Sequence, residues 1–338
     1  MTSSRKPVTI KDIAADLGIS PATVSRVLNG RGSELISERT RERVRDSARQ
    51  LGYRANPAAR ALITGRSNMV ALWLHNRYSF SPFVAQVVHS LKNRIHGCPV
   101  EMILEYIENP TGLGEDWTPL SRWPVDGILA HEAPQFVAAY CQAHGTLSPP
   151  IVGMGCWYYD QTDFVGIDLR VGVAEAVSHL LAAAPANVAY MVNRGSDTPG
   201  EPRYDAYVGA MERAGRPAEF ILCDDQSRAS ARAGIREYVG AHGCPSAVFC
   251  HNDDLAIGAY RGLCDLGVRV PDDVALVGCD GVEDTEYLPC PISTIVQPIG
   301  EMCDLAWQYL RTRLGDPSLP PQQTVLTARL EVRASSTR

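Results

Sequence analysis

Apolar residues in the first thirty positions recur with a helical period that is broken once. Ile10, Ile13, Ala14 and Leu17 fall at i, i+3, i+4 and i+7, Thr9 stands at the N-cap with Asp12 three residues on, and Gly18 ends the run. Ser20 and Pro21 then open a second helix with Val24, Val27 and Leu28 on one face. Its other face carries Pro21, Ala22, Ser25, Arg26 and Asn29, short or polar groups with no evident partner in the chain. Two short helices around a tight turn, the second with such an idle face, predict a helix-turn-helix whose second helix enters the DNA major groove. Arg31 to Ile36 reads as a loop. Ser37 caps a third helix to Leu51, with Val44, Ala48 and Leu51 as its buried stripe and Arg39, Arg41, Arg43, Arg45 and Arg49 facing outward. Asn56 and Pro57 can start one more helix, which Gly65 ends after two turns of mostly alanine. So short a helix is marginal alone in water. It is either a plain linker or a hinge helix that forms on DNA, where Ala58, Ala59 and Ala61 permit close approach and Leu62 projects as an apolar wedge for the minor groove.

From Met69 the period changes. Strand-like runs (MVALWL, VEMILEYI, VDGILA, IVGM, NVAYMV, AVFC, VALVG) alternate with amphipathic helices, among them one with Val84, Val87, Val88, Leu91 and Ile95 on a single face. This alternation predicts parallel sheet covered on both faces, and some 270 residues of it predict two Rossmann-like halves with a ligand in the crevice between them. No internal repeat is evident.

Charge changes the picture only when it is split. The 338-residue chain carries a net charge of −6, which argues against nucleic acid, yet residues 1–66 hold 13 Lys and Arg against 6 Asp and Glu, leaving the rest at −13. A basic head on an acidic body suggests an anionic partner for the head alone. Ten cysteines at irregular spacing show no CxxC and no zinc pattern, which suits reduced, mostly buried thiols. No apolar run approaches 18 residues and MTSSRKPVT lacks the apolar core of a signal peptide, so a cytoplasmic protein is expected.

VTIKDIAADLGISPATVSRVLNG, SERTRERV and LGYRANPAARAL closely resemble the head of the lactose-repressor (LacI/GalR) family of bacterial transcription regulators. The resemblance continues through IDLRVG, RYDAYVGAMERAG, AVFCHNDDLAIGAYRGLCDLGVRVPDDVALVGCDG and STIVQP. It implies an all-α helix-turn-helix head and hinge helix joined to a two-lobed α/β core like periplasmic binding proteins. It also implies a homodimer on a pseudo-palindromic DNA operator and a small, sugar-like effector. The implied division is a DNA-binding domain at 1–54, a hinge helix at 55–66 and a core at 67–338. The core's N-lobe covers about 67–166 and 295–323 and its C-lobe about 168–292 and 326–335, with crossovers near 167, 294 and 325. No heptad tail follows the EVRASS segment, consistent with a dimer rather than a tetramer.

By the same resemblance Ser20, Pro21, Ala22, Ser25, Arg26 and Asn29 face the bases, and Arg26 suits the paired acceptors of guanine. Thr9, Ser37, Thr40, Tyr53 and Asn56 position phosphates, and Ala59 and Leu62 belong to the hinge. Pro21 and Ala22 depart from relatives with longer polar groups there, and the Gly30–Ile36 loop is about two residues longer than usual. In the core Arg203, Asn252 and Asp280 match effector-cleft positions, and Phe80, Phe83, His131 and Gln297 match more loosely. A guanidinium, an amide and a carboxylate can share a sugar's hydroxyls. Leu74 to Ser81 and the WYYDQ stretch around Trp157 match the family poorly.

No GxGxxG follows a strand, and no Walker loop, GxSxG or metal pair is present, so no catalytic set, cofactor or metal is expected. The cluster His251, Asn252, Asp253, Asp254 reads as cleft lining and helix cap. The alternative to a ligand-controlled repressor is a solute-binding or enzymatic module that carries a helix-turn-helix head.

Overall fold

The computed structural model describes residues 8–29, 33–53, 65–75, 81–107, 124–145, 149–159, 162–183 and 187–337. The chain divides into two compact units, Met1–Ser67 and Asn68–Arg338.

Among its described residues the first unit holds three α-helices, α1 (Ile10–Leu17), α2 (Pro21–Asn29) and α3 (Glu38–Gln50), with a short 3-10 turn at Ser33–Leu35. Their starts follow the local chemistry. The Asp12 carboxylate accepts from the Thr9 N–H at 2.8 Å and from its hydroxyl at 2.7 Å. Ser20 Oγ accepts from the Thr23 N–H at 3.1 Å, and the Ser37 hydroxyl caps α3 by accepting from the Thr40 N–H. Gly18 ends α1 at φ 66°, the left-handed conformation that glycine adopts without a Cβ penalty. Ile13, Ala14, Val24, Val27, Val44 and Ala48 form the core, with Leu28, Ile36 and Tyr53 packed against it. Leu51 corrects the expected stripe: it sits at the α3 C-cap, beyond the last helical turn, and is exposed.

The second unit contains two six-stranded sheets of one design. The first is ordered β2 (Glu101–Ile107), β1 (Met69–His75), β3 (Gly127–His131), β4 (Ile151–Gly155), β5 (Asp163–Asp168) and β11 (Gln323–Thr327). The second is ordered β7 (Glu219–Cys223), β6 (Val188–Asn193), β8 (Ala247–Cys250), β9 (Ala275–Asp280), β10 (Ser293–Val296) and β12 (Arg329–Glu331). Among the described residues the strand pairings are parallel except β10 with β12. In β1, Val70, Leu72 and Leu74 face a cluster shared with α4 (Pro82–Ile95) and α10 (Ile299–Gly315), while Ala71 and Trp73 face α5 (Pro134–His144). In β6, Val188, Tyr190 and Val192 point toward α7 (Pro202–Arg213), while Ala189 and Met191 point toward α8 (Arg228–His242) and α9 (Asp253–Asp265). Side chains alternate across a strand, so a run apolar at every position is a strand buried on both faces. After β5 the chain enters the second lobe through α6 (Arg170–Ala183), which packs on β8, β9, β10 and β12 beside α7.

The lobe boundaries shift by a few residues from the sequence reading. Ile295 and Val296 pair with Cys279 and Asp280 in the second sheet, and Val325 to Thr327 pair with β5 in the first. The crossovers therefore fall at Leu169, Gln297 and Ala328, where strand hydrogen bonding stops. The cysteines are unpaired, and four of them (Cys223, Cys250, Cys279 and Cys303) are buried while Cys244 and Cys264 are exposed, so the thiols are less uniformly interior than their apolar context suggested. Among the described residues no helix is long and apolar enough to cross a membrane, and no cluster of His, Cys, Asp and Glu could hold a metal.

Candidate functional site

On α2 the Val24 and Val27 side chains turn inward, which leaves Pro21, Ala22, Arg26 and Asn29 exposed and Ser25 half-buried. Asn29 Nδ2 donates to Ser25 Oγ at 3.1 Å. Arg26 forms no ion pair among the described residues and is free to meet an external acceptor. Thr9, Ser20 and Ser37 lie exposed at the three helix starts, Thr40 is half-buried, and Tyr53 packs on the head core. The α3 arginines are less available than a solvent-facing row. Glu38 pairs with Arg41 and Arg45, Asp46 pairs with Arg49, and Arg41 is half-buried. Arg39 and Arg43 remain exposed without an ion pair among the described residues. Asn56, Ala59 and Leu62, with the hinge helix expected there, lie outside the described residues, as does Phe80.

In each sheet of the second unit the strand order reverses beside its first strand, and ligands of such sheets gather beyond the carboxyl ends at that point. A cavity of roughly 600 Å³, open mouth included, lies there. The first lobe contributes Ser81, Phe83 and Val84 at the start of α4, His131 and Glu132 at the end of β3, and Cys156 and Trp157 after β4. The second contributes Ser196 after β6, Glu201 and Arg203 at the start of α7, Gln226 after β7, His251 and Asn252 after β8, and Asp280 at the end of β9. Phe83, His131, Arg203, Asn252 and Asp280 are thus brought together as expected. Gln297 is not on the wall. It stands at a crossover and acts through Asp280, donating from Nε2 to Oδ1 at 2.8 Å.

Arg203 Nη1 donates to Glu201 Oε1 at 3.0 Å and Nη2 stands 3.9 Å from Asp280 Oδ1, while Nε is buried without a partner. His131, 3% exposed, leaves Nε2 equally unpartnered, with the Phe83 ring centred 5.8 Å away. Asn252 Oδ1 caps α9 by accepting from the Leu255 N–H, and Nδ2 donates to Gln226 at 3.0 Å. His251 Nδ1 shares a 2.7 Å hydrogen bond with the Tyr190 hydroxyl. The Asp253 carboxylate, fully buried, accepts from the Gly281 and Val282 N–H groups and the Thr294 hydroxyl, holding the turn that follows Asp280. Asp254 pairs with Arg228. In the four-residue cluster at 251–254, His251 and Asn252 line the cavity and Asn252 also caps α9, while Asp253 is taken up by turn geometry and Asp254 by its ion pair. Two cleft residues, Glu132 (φ 53°) and Asp280 (φ 140°), adopt backbone conformations unfavourable for L side chains, strain of the kind held at binding sites.

Burial pushes both cleft imidazoles, His131 and His251, below their ordinary range, so they are neutral at pH 7. Burial pushes Asp280 well up, with Asp253 adding to this and Arg203 opposing it. Burial works against the Arg203 charge, but Cys279, Glu201 and Asp280 around it hold it above its usual value. Glu201, Glu132, Trp157, Ser196 and Gln226 were not singled out from sequence as cleft contacts. Glu201 had one signal, its place just before a Pro that opens a helix. Trp157 had another, the poor family match of its segment.

Two family models match the chain: bacterial regulatory proteins of the lacI family over residues 9–56, and a periplasmic binding protein-like domain over 177–336. The chain is 30% identical over 316 residues to the HTH-type transcriptional regulator DegA of Bacillus subtilis, covering 87% of this chain and 88% of that one. It is 27% identical over 334 residues to the ribose operon repressor of Escherichia coli, covering 97% and 99%. The crystal structure of the lac repressor dimer bound to operator and the anti-inducer ONPF superposes with a TM-score of 0.82 at 23% identity, covering 98% and 100%. With the helix-turn-helix head, the doubled sheet and the cleft in the same order along the chain, this protein belongs to the lacI family of bacterial DNA-binding transcription regulators.

Proposed function

We propose that this regulator is a cytoplasmic repressor that binds a pseudo-palindromic operator as a homodimer and changes its operator affinity when a small, sugar-like effector enters the cleft. One observation carries the effector half of this reading: a guanidinium, an amide and a carboxylate converge on a cavity with an open mouth, and among its lining residues Arg203 Nε and His131 Nε2 are buried without a partner. Sugar hydroxyls both donate and accept, and so suit a guanidinium and a carboxylate side by side. The names of two relatives, a ribose operon repressor and a lac repressor dimer on its operator, agree with it.

On the DNA side, Ser20, Pro21, Ala22, Ser25, Arg26 and Asn29 would face bases. Thr9, Ser37, Thr40, Tyr53 and Asn56 would meet phosphates, and Ala59 and Leu62 the minor groove. The working division is a head at 1–54, a hinge at 55–66 and a core from 67. Effector binding would favour one mutual arrangement of the lobes, and the chain passes between them three times, so it biases a two-state element shared by both ends.

Fluorescence anisotropy of the full chain on palindromic DNA from around its own gene tests this. Binding should weaken steeply with salt, prefer one site, and change when ribose, lactose or cellobiose is added. Salt-sensitive binding with no site preference would remove the operator reading. Unchanged operator affinity with a sugar that demonstrably binds would remove the allosteric one.

A further inference from the structure

We propose that Glu201 sets the charge class of the effector: its carboxylate fills the anion-binding position that Arg203 and the α7 N-terminus would otherwise present, so the cleft admits uncharged polyhydroxyl molecules and rejects phosphorylated or carboxylated ones. The proposal rests on the effector reading of the cleft.

A helix N-terminus with a nearby arginine is a ready site for phosphate, because unbonded N–H groups and a guanidinium fork converge on it. At α7 both are taken. Glu201 is 6% exposed; one oxygen accepts from the Tyr204 N–H at 2.7 Å and the other from Arg203 Nη1 at 3.0 Å. The second arm of the fork turns toward Asp280. Only Nε has no partner, and it is buried, so no two-pronged face of the guanidinium is left for a bidentate anion.

The other helix starts around the cavity are closed in the same way. Ser81 accepts from the Val84 N–H, Asn252 from Leu255, and Ser227, next to Gln226, from Ser230. The Ala133 N–H donates to the Tyr159 hydroxyl. Among the described lining residues one guanidinium stands against three carboxyl groups, Glu132, Glu201 and Asp280, and burial pushes the last two toward holding a proton without adding any positive charge. An anion entering this space would lose its water and meet like charge. What the walls offer instead is the neutral His131 imidazole, the Ser196 and Gln226 side chains and the Phe83 ring, which match hydroxyls and the apolar face of a sugar ring.

The test compares matched pairs, ribose with ribose 5-phosphate and glucose with glucose 6-phosphate, by calorimetry on the full chain, with inorganic phosphate at constant ionic strength as a separate probe. In the wild type the uncharged member is expected to bind at least tenfold more tightly than its phosphate, and inorganic phosphate to give no saturable response. Glu201→Ala vacates the position and releases both the Tyr204 N–H and Arg203 Nη1, whereas Glu201→Gln still fills it without the charge. The alanine variant is expected to gain a saturable response to inorganic phosphate and to lose most of the discrimination within the pair that binds, and the glutamine variant to gain much less. A wild type that binds the phosphorylated member as well or better overturns the proposal without any variant, as does a folded Glu201→Ala protein that stays blind to phosphate. If no uncharged sugar binds and Asp280→Asn changes no response, the effector reading itself fails and this proposal with it. A wild type that prefers phosphate leaves that reading standing and removes only the role of Glu201.

Discussion

Arg26 projects from α2 with no internal ion pair among the described residues, and Pro21 and Ala22 beside it can offer a base edge little beyond apolar contact. Replacing Arg26 by Ala should therefore cost about 1–3 kcal/mol of operator binding and relax the preference at one base position in each half-site, read by binding to a randomised-site library. A loss of equal size on every sequence would make Arg26 a phosphate contact instead. Inside the core, burial raises Asp253 from 3.8 to about 6. Between those values the folded protein holds a proton that the unfolded chain has released, so this group's contribution to stability falls as pH rises from about 4 to about 6. In urea unfolding, the stability of the wild type relative to Asp253→Asn should then decline over that window, by on the order of 1–3 kcal/mol; a difference that rises with pH would contradict the buried, proton-retaining carboxylate. At this scale Arg203, Asn252 and Asp280 were legible because each sits in a run of residues that carries its own signature. Glu201 was not, because its role depends on a side chain folding back onto a guanidinium two residues away. Gln297 was placed on the wall because position along the chain does not say whether a polar group meets ligand or holds another residue that does.

At the element scale the three helix starts of the head were legible, since a cap is a bond between residues three apart. Removing the Ser37 hydroxyl with Ala should cost the head about 1 kcal/mol, measured by thermal unfolding. Inter-element packing is a different matter, and two glycines show it. Gly240 lies exposed in α8 with nothing within 4 Å of where a Cβ would stand, so Gly240→Ala should stabilise by about 1 kcal/mol. In α9, a Cβ on Gly258 would run into the Arg228 carbonyl and the Ala231 side chain of α8, so Gly258→Ala should destabilise by about 1–3 kcal/mol. Opposite signs in parallel urea melts would confirm that contact; equal signs would refute it. Nothing in the local pattern separates these two glycines. The β11 strand was likewise not recognisable as such, since its residues alternate exposed and half-buried at the sheet edge and lack the continuous apolar run of β1 or β6.

For the whole molecule, the division into two compact units predicts separable failure. Ile13 is fully buried in the small head core, and Ile13→Ala should cost about 2–5 kcal/mol there, a large part of what so small a domain holds. DNA binding should disappear while stabilisation by a bound sugar persists in the second unit; simultaneous loss of both would mean that the units unfold as one. The amino-acid sequence by itself determined the basic head and acidic body, the helix-turn-helix, the alternation of strands and helices, and the family, because charge, caps and hydrophobic period are local properties written in neighbouring residues. Only the tertiary structure decided that the two sheets share one strand order, that the crossovers fall at Leu169, Gln297 and Ala328, and that side chains from 81 to 280 close one cavity. Those depend on which strand ends meet in space, whereas the pairing of Arg203 with Glu201 is local and rests on a side-chain conformation that residue order does not specify.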